Sequence, residues 1–124
     1  MFWFQIFVFF NMLLITLLAI NVSRVRISNK VPNGDGGLLP LKKAIRCHMN
    51  NIEHALPFGF IVFALVDLTS TAVLATLVIG FTISRVIHAF GMFKLIPLMR
   101  MGGAGLTNLF ELTGLIFLGL ALLS

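Results

Sequence analysis

"AIRCHMNNIEHALP", residues 44–57, places Arg46, His48, Asn50, Asn51, Glu53 and His54 within fourteen positions of an otherwise apolar chain. The 124 residues are 59% hydrophobic and 10% charged, with a mean hydropathy of +1.06. Soluble domains average about a quarter charged residues, so most of this surface is expected to face lipid. At 3.6 residues per turn, Arg46, Met49, Asn50, Glu53 and Pro57 share one stripe of a helix, and His48 points nearly opposite. The stretch therefore reads as a membrane helix with one polar face, and the fold follows from asking what that face meets.

A hydrocarbon core takes roughly 20 apolar residues per helix. Four segments supply them, about 2–23, 41–66, 71–93 and 103–123, with a linker over about 24–40. The expected fold is an all-α, up-down bundle of four transmembrane helices forming one domain over residues 1–124. The opening run lacks a basic n-region and a small-residue cleavage site, so it reads as a first helix rather than a signal peptide. In the linker, Pro32, Asn33, Gly34, Asp35, Gly36 and Gly37 provide turn chemistry. That run lacks the preceding strand and the following Lys-Ser/Thr of a phosphate loop. The single cysteine, Cys47, excludes an internal disulfide and leaves no metal-ligand spacing.

Position gives the charge its meaning. The nine basic residues, Arg24, Arg26, Lys30, Lys42, Lys43, Arg46, Arg85, Lys94 and Arg100, cluster near the first linker and the turn between helices 3 and 4. The intervening loop "VDLTST" has none. Since Lys and Arg stay cytoplasmic, both termini are expected outside and both basic segments inside. A net charge of +5 then reflects topology and contact with anionic membrane lipid, not nucleic acid.

This threading puts Glu53, Arg85, His88, Asn108 and Glu111 in the inner half of the membrane, in one polar layer. Ionised side chains there cost at least about 2.5–3.5 kcal/mol each, so partners are required. One reading is mutual satisfaction, with Glu53 and Glu111 neutralising Arg85 and Arg46. The other is an anionic guest from the cytoplasm, because Arg24, Arg26 and Arg100 leave cations in excess of acids, and guanidinium groups bind carboxylates in pairs of hydrogen bonds.

The motifs "RCHMNNIEHALP" and "SRVIHAFG" resemble the second- and third-helix signatures of the MAPEG family, the membrane-associated proteins of eicosanoid and glutathione metabolism. "NGDGGLLPLKKAIR" is similar to its short bacterial branch, which implies the bacterial inner membrane with periplasmic termini. The resemblance extends from about Arg24 to Glu111. It implies a homotrimer binding glutathione as co-substrate between subunits, with Arg24, Arg46, Asn50, Glu53, Arg85 and His88 at the binding site. Arg100 looks like the arginine that holds the thiolate. The implied activity is glutathione transfer or glutathione-dependent peroxide reduction on a lipophilic substrate.

One departure is marked: several relatives place a glutathione-contacting tyrosine where this chain has Met92, and the chain contains no tyrosine. That keeps open a non-enzymatic, lipid-binding role within the same family. A small proton-coupled exporter also has four short helices, but it carries a glutamate on helix 1, and no acid lies there.

Overall fold

The computed structural model describes residues 1–123 and consists of four helices: α1 (Phe2–Ser28), α2 (Leu39–Leu65), α3 (Thr71–Lys94) and α4 (Pro97–Leu123). α1 outlasts its apolar run by a turn and ends at Asn29; Lys30 then adopts a left-handed conformation. The positive φ values expected of the linker fall on Gly34, Gly36 and Gly37. Arg26 clamps this turn, its Nη1 donating to the Gly34 carbonyl at 2.7 Å. α2 starts at Leu39 with Pro40 in its first turn, where the missing N–H costs nothing. It continues unbroken through Pro57.

The largest departure from expectation is the start of α4, at Pro97 rather than near residue 103. Leu95, at φ 56°, reverses the chain while its N–H bonds the Gly91 carbonyl, and Pro97 nucleates the next helix two residues later. Arg100 consequently sits in the first turn of a helix.

α1, α3 and α4 are long and apolar enough to cross a membrane. α2 is as long, but His48, Asn50, Asn51, Glu53 and His54 keep it out of that class. Helices α1 and α4 do not touch among the described residues; they flank α2 and α3. On α2 the two sides are marked by contacts: Gly59 lies against Phe7 of α1, and Ile61 against Gly114 of α4.

The core divides by chemistry. Toward the loop between α2 and α3, Phe7, Phe58 and Phe81 meet, the last two stacked with centroids 4.0 Å apart. These three phenylalanines are interior packing residues, while most of the large apolar side chains on α1 and α4 remain exposed. One turn from them, the Asn11 amide donates to Thr82 Oγ1 at 2.9 Å and to the Phe7 carbonyl at 3.1 Å, joining α1 to α3. Without water, such groups must be satisfied internally.

Toward the basic end, α3 and α4 approach backbone to backbone. Gly91 lies against the Arg100 backbone. A Cβ on Gly103 would come within 2.6 Å of the His88 nitrogen, whereas Gly102 and Gly105 face open space. Gly103→Ala is therefore expected to destabilise the detergent-solubilised protein by about 1–3 kcal/mol through overpacking. Gly102→Ala should be neutral, or stabilising by up to about 1 kcal/mol from helix propensity. Thermal unfolding of the two variants separates these outcomes; equal midpoints would remove the close contact from the account.

A buried arginine and an open polar edge

Four helical positions converge beneath the basic end of the bundle. Arg85 of α3 is 0% exposed, and its guanidinium is divided among neutral acceptors. Nε donates to Asn51 Oδ1 at 3.2 Å, Nη1 to Thr107 Oγ1 at 3.2 Å and Nη2 to Asn50 Oδ1 at 2.6 Å. Thr107 is held in turn by the Gly103 carbonyl at 2.8 Å and by Ser84 Oγ at 3.0 Å, and the Asn51 amide donates to the Cys47 carbonyl at 3.0 Å. Adjacent asparagines on α2 can grip one guanidinium because they sit 100° apart on the helix. The planar fork of arginine matches acceptors arriving from two helices at once.

Mutual neutralisation by carboxylates, the first of the two readings, does not occur at Arg85. Glu111 of α4 instead pairs with His54 of α2 at 2.8 Å. The carboxylate only accepts, so His54 Nδ1 carries the shared proton. Arg46 and Glu53 are both exposed, on the outward face of α2, and neither has a hydrogen-bond partner among the described residues. Asn108, placed in the same polar layer by its depth, is exposed on α4. Arg85 thus keeps its positive charge, since arginine does not deprotonate in proteins, with no acid bonded to it.

His88 is buried, and its Nδ1 donates to the Arg100 carbonyl at 2.9 Å, so it ties α3 to the first turn of α4. The Arg100 side chain is exposed. By helical period, Arg100, Ala104, Asn108 and Glu111 line the edge of α4 beside α2, while Asn50 and His54 share the Ile61 side of α2, facing α4. Together they outline an open polar edge between α2 and α4 with Arg85 behind it. His48 falls eleven residues before Gly59, three turns away on the α1 side of α2. It is therefore remote from that edge.

Arg24 is not brought to the other candidate residues. It is exposed near the end of α1, donating to Asn21 Oδ1 at 3.3 Å, and α1 lies on the far side of α2 from α4. Of the predicted set, Asn50 and Arg85 bond directly, Arg46, Glu53 and Arg100 lie on the surface around them, and His88 supports Arg100. Asn51, Ser84 and Thr107 complete the network and the His54–Glu111 pair lies one turn beyond it; none of these five was among the candidate site residues. Their signal was positional: Asn50 to His54 and Thr107 to Glu111 are both four-residue steps.

The architecture is that of a helical membrane protein with a polar site near one end of its bundle. The MAPEG family model matches residues 4–121, and the chain belongs to the MAPEG family. That family includes glutathione-related transferases and peroxidases. No curated protein gave a match to the chain.

If the guanidinium fork organises the network, Arg85→Lys should lower stability by about 1.5–3 kcal/mol, the scale of a hydrogen bond to a charged group. A point charge cannot reach three acceptors on two helices. Thermal unfolding in detergent checks this; an unchanged midpoint would show that charge alone, not fork geometry, matters.

Proposed function

We propose that this protein binds glutathione at the α2–α4 edge and transfers it to, or uses it to reduce, lipophilic electrophiles. The observation that carries the reading is the exposure of Arg46, Glu53 and Arg100 around a buried Arg85 to which no carboxylate is bonded. Left facing lipid, each charged group would cost at least about 2.5–3.5 kcal/mol. A second copy of the chain and a zwitterionic ligand remove that cost together.

Arg24 and the α2–α4 edge lie on opposite sides of one protomer. They meet only if the α1 side of one copy docks on the α2–α4 side of the next. Such a contact is heterologous, and with a rotation of one third of a turn it closes into the ring of a homotrimer. In that assembly all four helices span the membrane, α2 being screened from lipid by its neighbours. Both termini then face the periplasm, and the basic end faces the cytoplasm of a bacterial inner membrane.

Glutathione offers two carboxylates, an ammonium and a thiol. Arg46 and the neighbour's Arg24 take carboxylates and Glu53 takes the ammonium. Arg85 positions Asn50: by occupying Oδ1 it turns the amide's N–H donors toward the edge. His88 anchors the α4 turn that carries Arg100. Arg100 stabilises the thiolate. A free thiol of pKa near 8.5 is only a few per cent ionised at neutral pH, and lowering that by about 2 units requires roughly 2.7 kcal/mol. A guanidinium in a water-poor site supplies energies of this order. The second substrate arrives from the bilayer.

Arg100→Ala should retain glutathione binding and lose the ultraviolet absorbance of the bound thiolate; full wild-type activity in that variant removes Arg100 from the mechanism. Glu53→Gln should weaken binding at least about tenfold by leaving the ammonium unpaired. Titration calorimetry on the wild-type protein is the primary test, and the absence of both binding and thermal stabilisation by glutathione sinks the reading.

The lack of tyrosine, together with an apolar cavity of about 370 Å³ between α1 and α2 lined by Phe4, Phe7, Leu56 and Phe60, favours a second reading as a non-enzymatic lipid binder. That reading predicts neither glutathione binding nor turnover.

A further inference from the structure

The His54–Glu111 pair has no part in the glutathione site described above, yet it lies on the same edge. It sits one turn beyond Asn50 on α2 and one turn beyond Thr107 on α4, about 6 Å further from the basic end. Beyond it that edge is apolar, formed by Pro57 and Ile61 of α2 and Leu115 of α4. The pair thus marks the boundary between the polar part of the edge and the part open to hydrocarbon. Neither side chain is sealed in: they are 28% and 22% exposed. Glu111 occupies Nδ1, leaving Nε2 as the uncommitted ring nitrogen of His54 among the described residues. The other titratable groups nearby are Glu53 on α2 and Arg85 and His88 on α3, and none of them bonds the imidazole.

We propose that His54, positioned by Glu111, is the acid that protonates the lipophilic acceptor when glutathione adds to it. The inference rests on the glutathione reading and narrows the substrate class. A thiolate approaching from the polar side and an acceptor approaching from the hydrocarbon side meet at this boundary. When sulfur bonds the β-carbon of an α,β-unsaturated aldehyde, the C=C pair shifts to form an enolate, which takes the Nε2 proton of a His54 imidazolium whose Nδ1 proton is shared with the Glu111 carboxylate. The imidazole regains a proton from water, matching the one the thiol released on ionising. Substitution on an aryl chloride expels chloride and needs no such proton. The favoured substrates are therefore apolar acceptors that gain a proton on addition, such as lipid-derived enals.

The test compares nonenal with chlorodinitrobenzene on the full-length protein in detergent or proteoliposomes. General acid catalysis contributes about 100-fold or more. His54→Gln, which keeps a donor for Glu111 but cannot deliver a proton, should therefore lose about 100-fold in nonenal turnover and much less with the aryl chloride. Added imidazole should restore nonenal turnover in His54→Ala, a response that a purely structural role would not give. Glu111→Gln should show the same substrate split, in smaller measure. Equal losses on both acceptors, no loss on nonenal, or wild-type protein that binds glutathione and turns over neither acceptor would each overturn the acid assignment and leave the binding site standing. Wild-type protein that does not bind glutathione overturns the proposed function and this inference with it.

Discussion

A full positive charge held inside the bundle by neutral acceptors is the constraint around which the rest is arranged. Arg85 is wholly buried, and its three hydrogen bonds go to two asparagines and a threonine. Asn50 and Asn51 fix the rotation of α2 about its axis, and Thr107 fixes the height of α4. Ser84 and the Gly103 carbonyl then complete Thr107, and Gly103 brings α4 against the His88 backbone. The polar network and the close helix packing are thus one feature: a side chain at Gly103 would lift Thr107 away from its arginine. Neutral partners take one hydrogen bond from each nitrogen of Arg85, so no carboxylate bonds the guanidinium and its charge is not neutralised by direct contact.

The same rotation of α2 decides which charges the protomer presents outward. With Asn51 buried against Arg85, Arg46 and Glu53 face away, since their positions differ from Asn51 by well over a right angle; Asn50, within about 60° of both, sits half-buried at the boundary. Outward charges on a helix flanked by apolar neighbours make the single protomer an incomplete object in a bilayer. Arg24 is on the opposite flank, so the exposed arginines are divided between two surfaces. The buried core arginine and the outward charges of α2 therefore share one geometric cause.

The polar residues of the site were largely legible in the chain, because few residue types other than functional or network-forming ones survive within a membrane segment. Their pairing was not. Glu53 and Glu111 were the natural counter-ions for Arg85 by charge, yet Arg85 bonds amides and a hydroxyl, and Glu111 bonds His54. Charge complementarity identifies candidates at a given depth, whereas hydrogen bonding requires a particular helix rotation, which periodicity leaves free. Thr107 carries no signal of its own in the sequence, since a threonine in an apolar helix commonly bonds its own preceding carbonyl, as it also does here. The start of α4 lies ahead of the glycine run that suggests it in sequence, because the reversal uses a left-handed leucine at position 95.

The sequence by itself determined the membrane class, the number of helices, the single basic end and the polar stripe of α2, because each follows from hydropathy, charge position and helical period. Tertiary structure alone decided that this stripe splits. Asn50 turns inward to Arg85 and Arg46 and Glu53 turn outward, because one guanidinium must meet acceptors on α2 and α4 at once. It also decided that α1 and α4 lie apart, with Arg24 separated from the site it resembles a part of. Which helices touch depends on how knobs such as Phe7 and Phe110 meet gaps such as Gly59 and Gly80, and that matching exists only between segments distant in the chain.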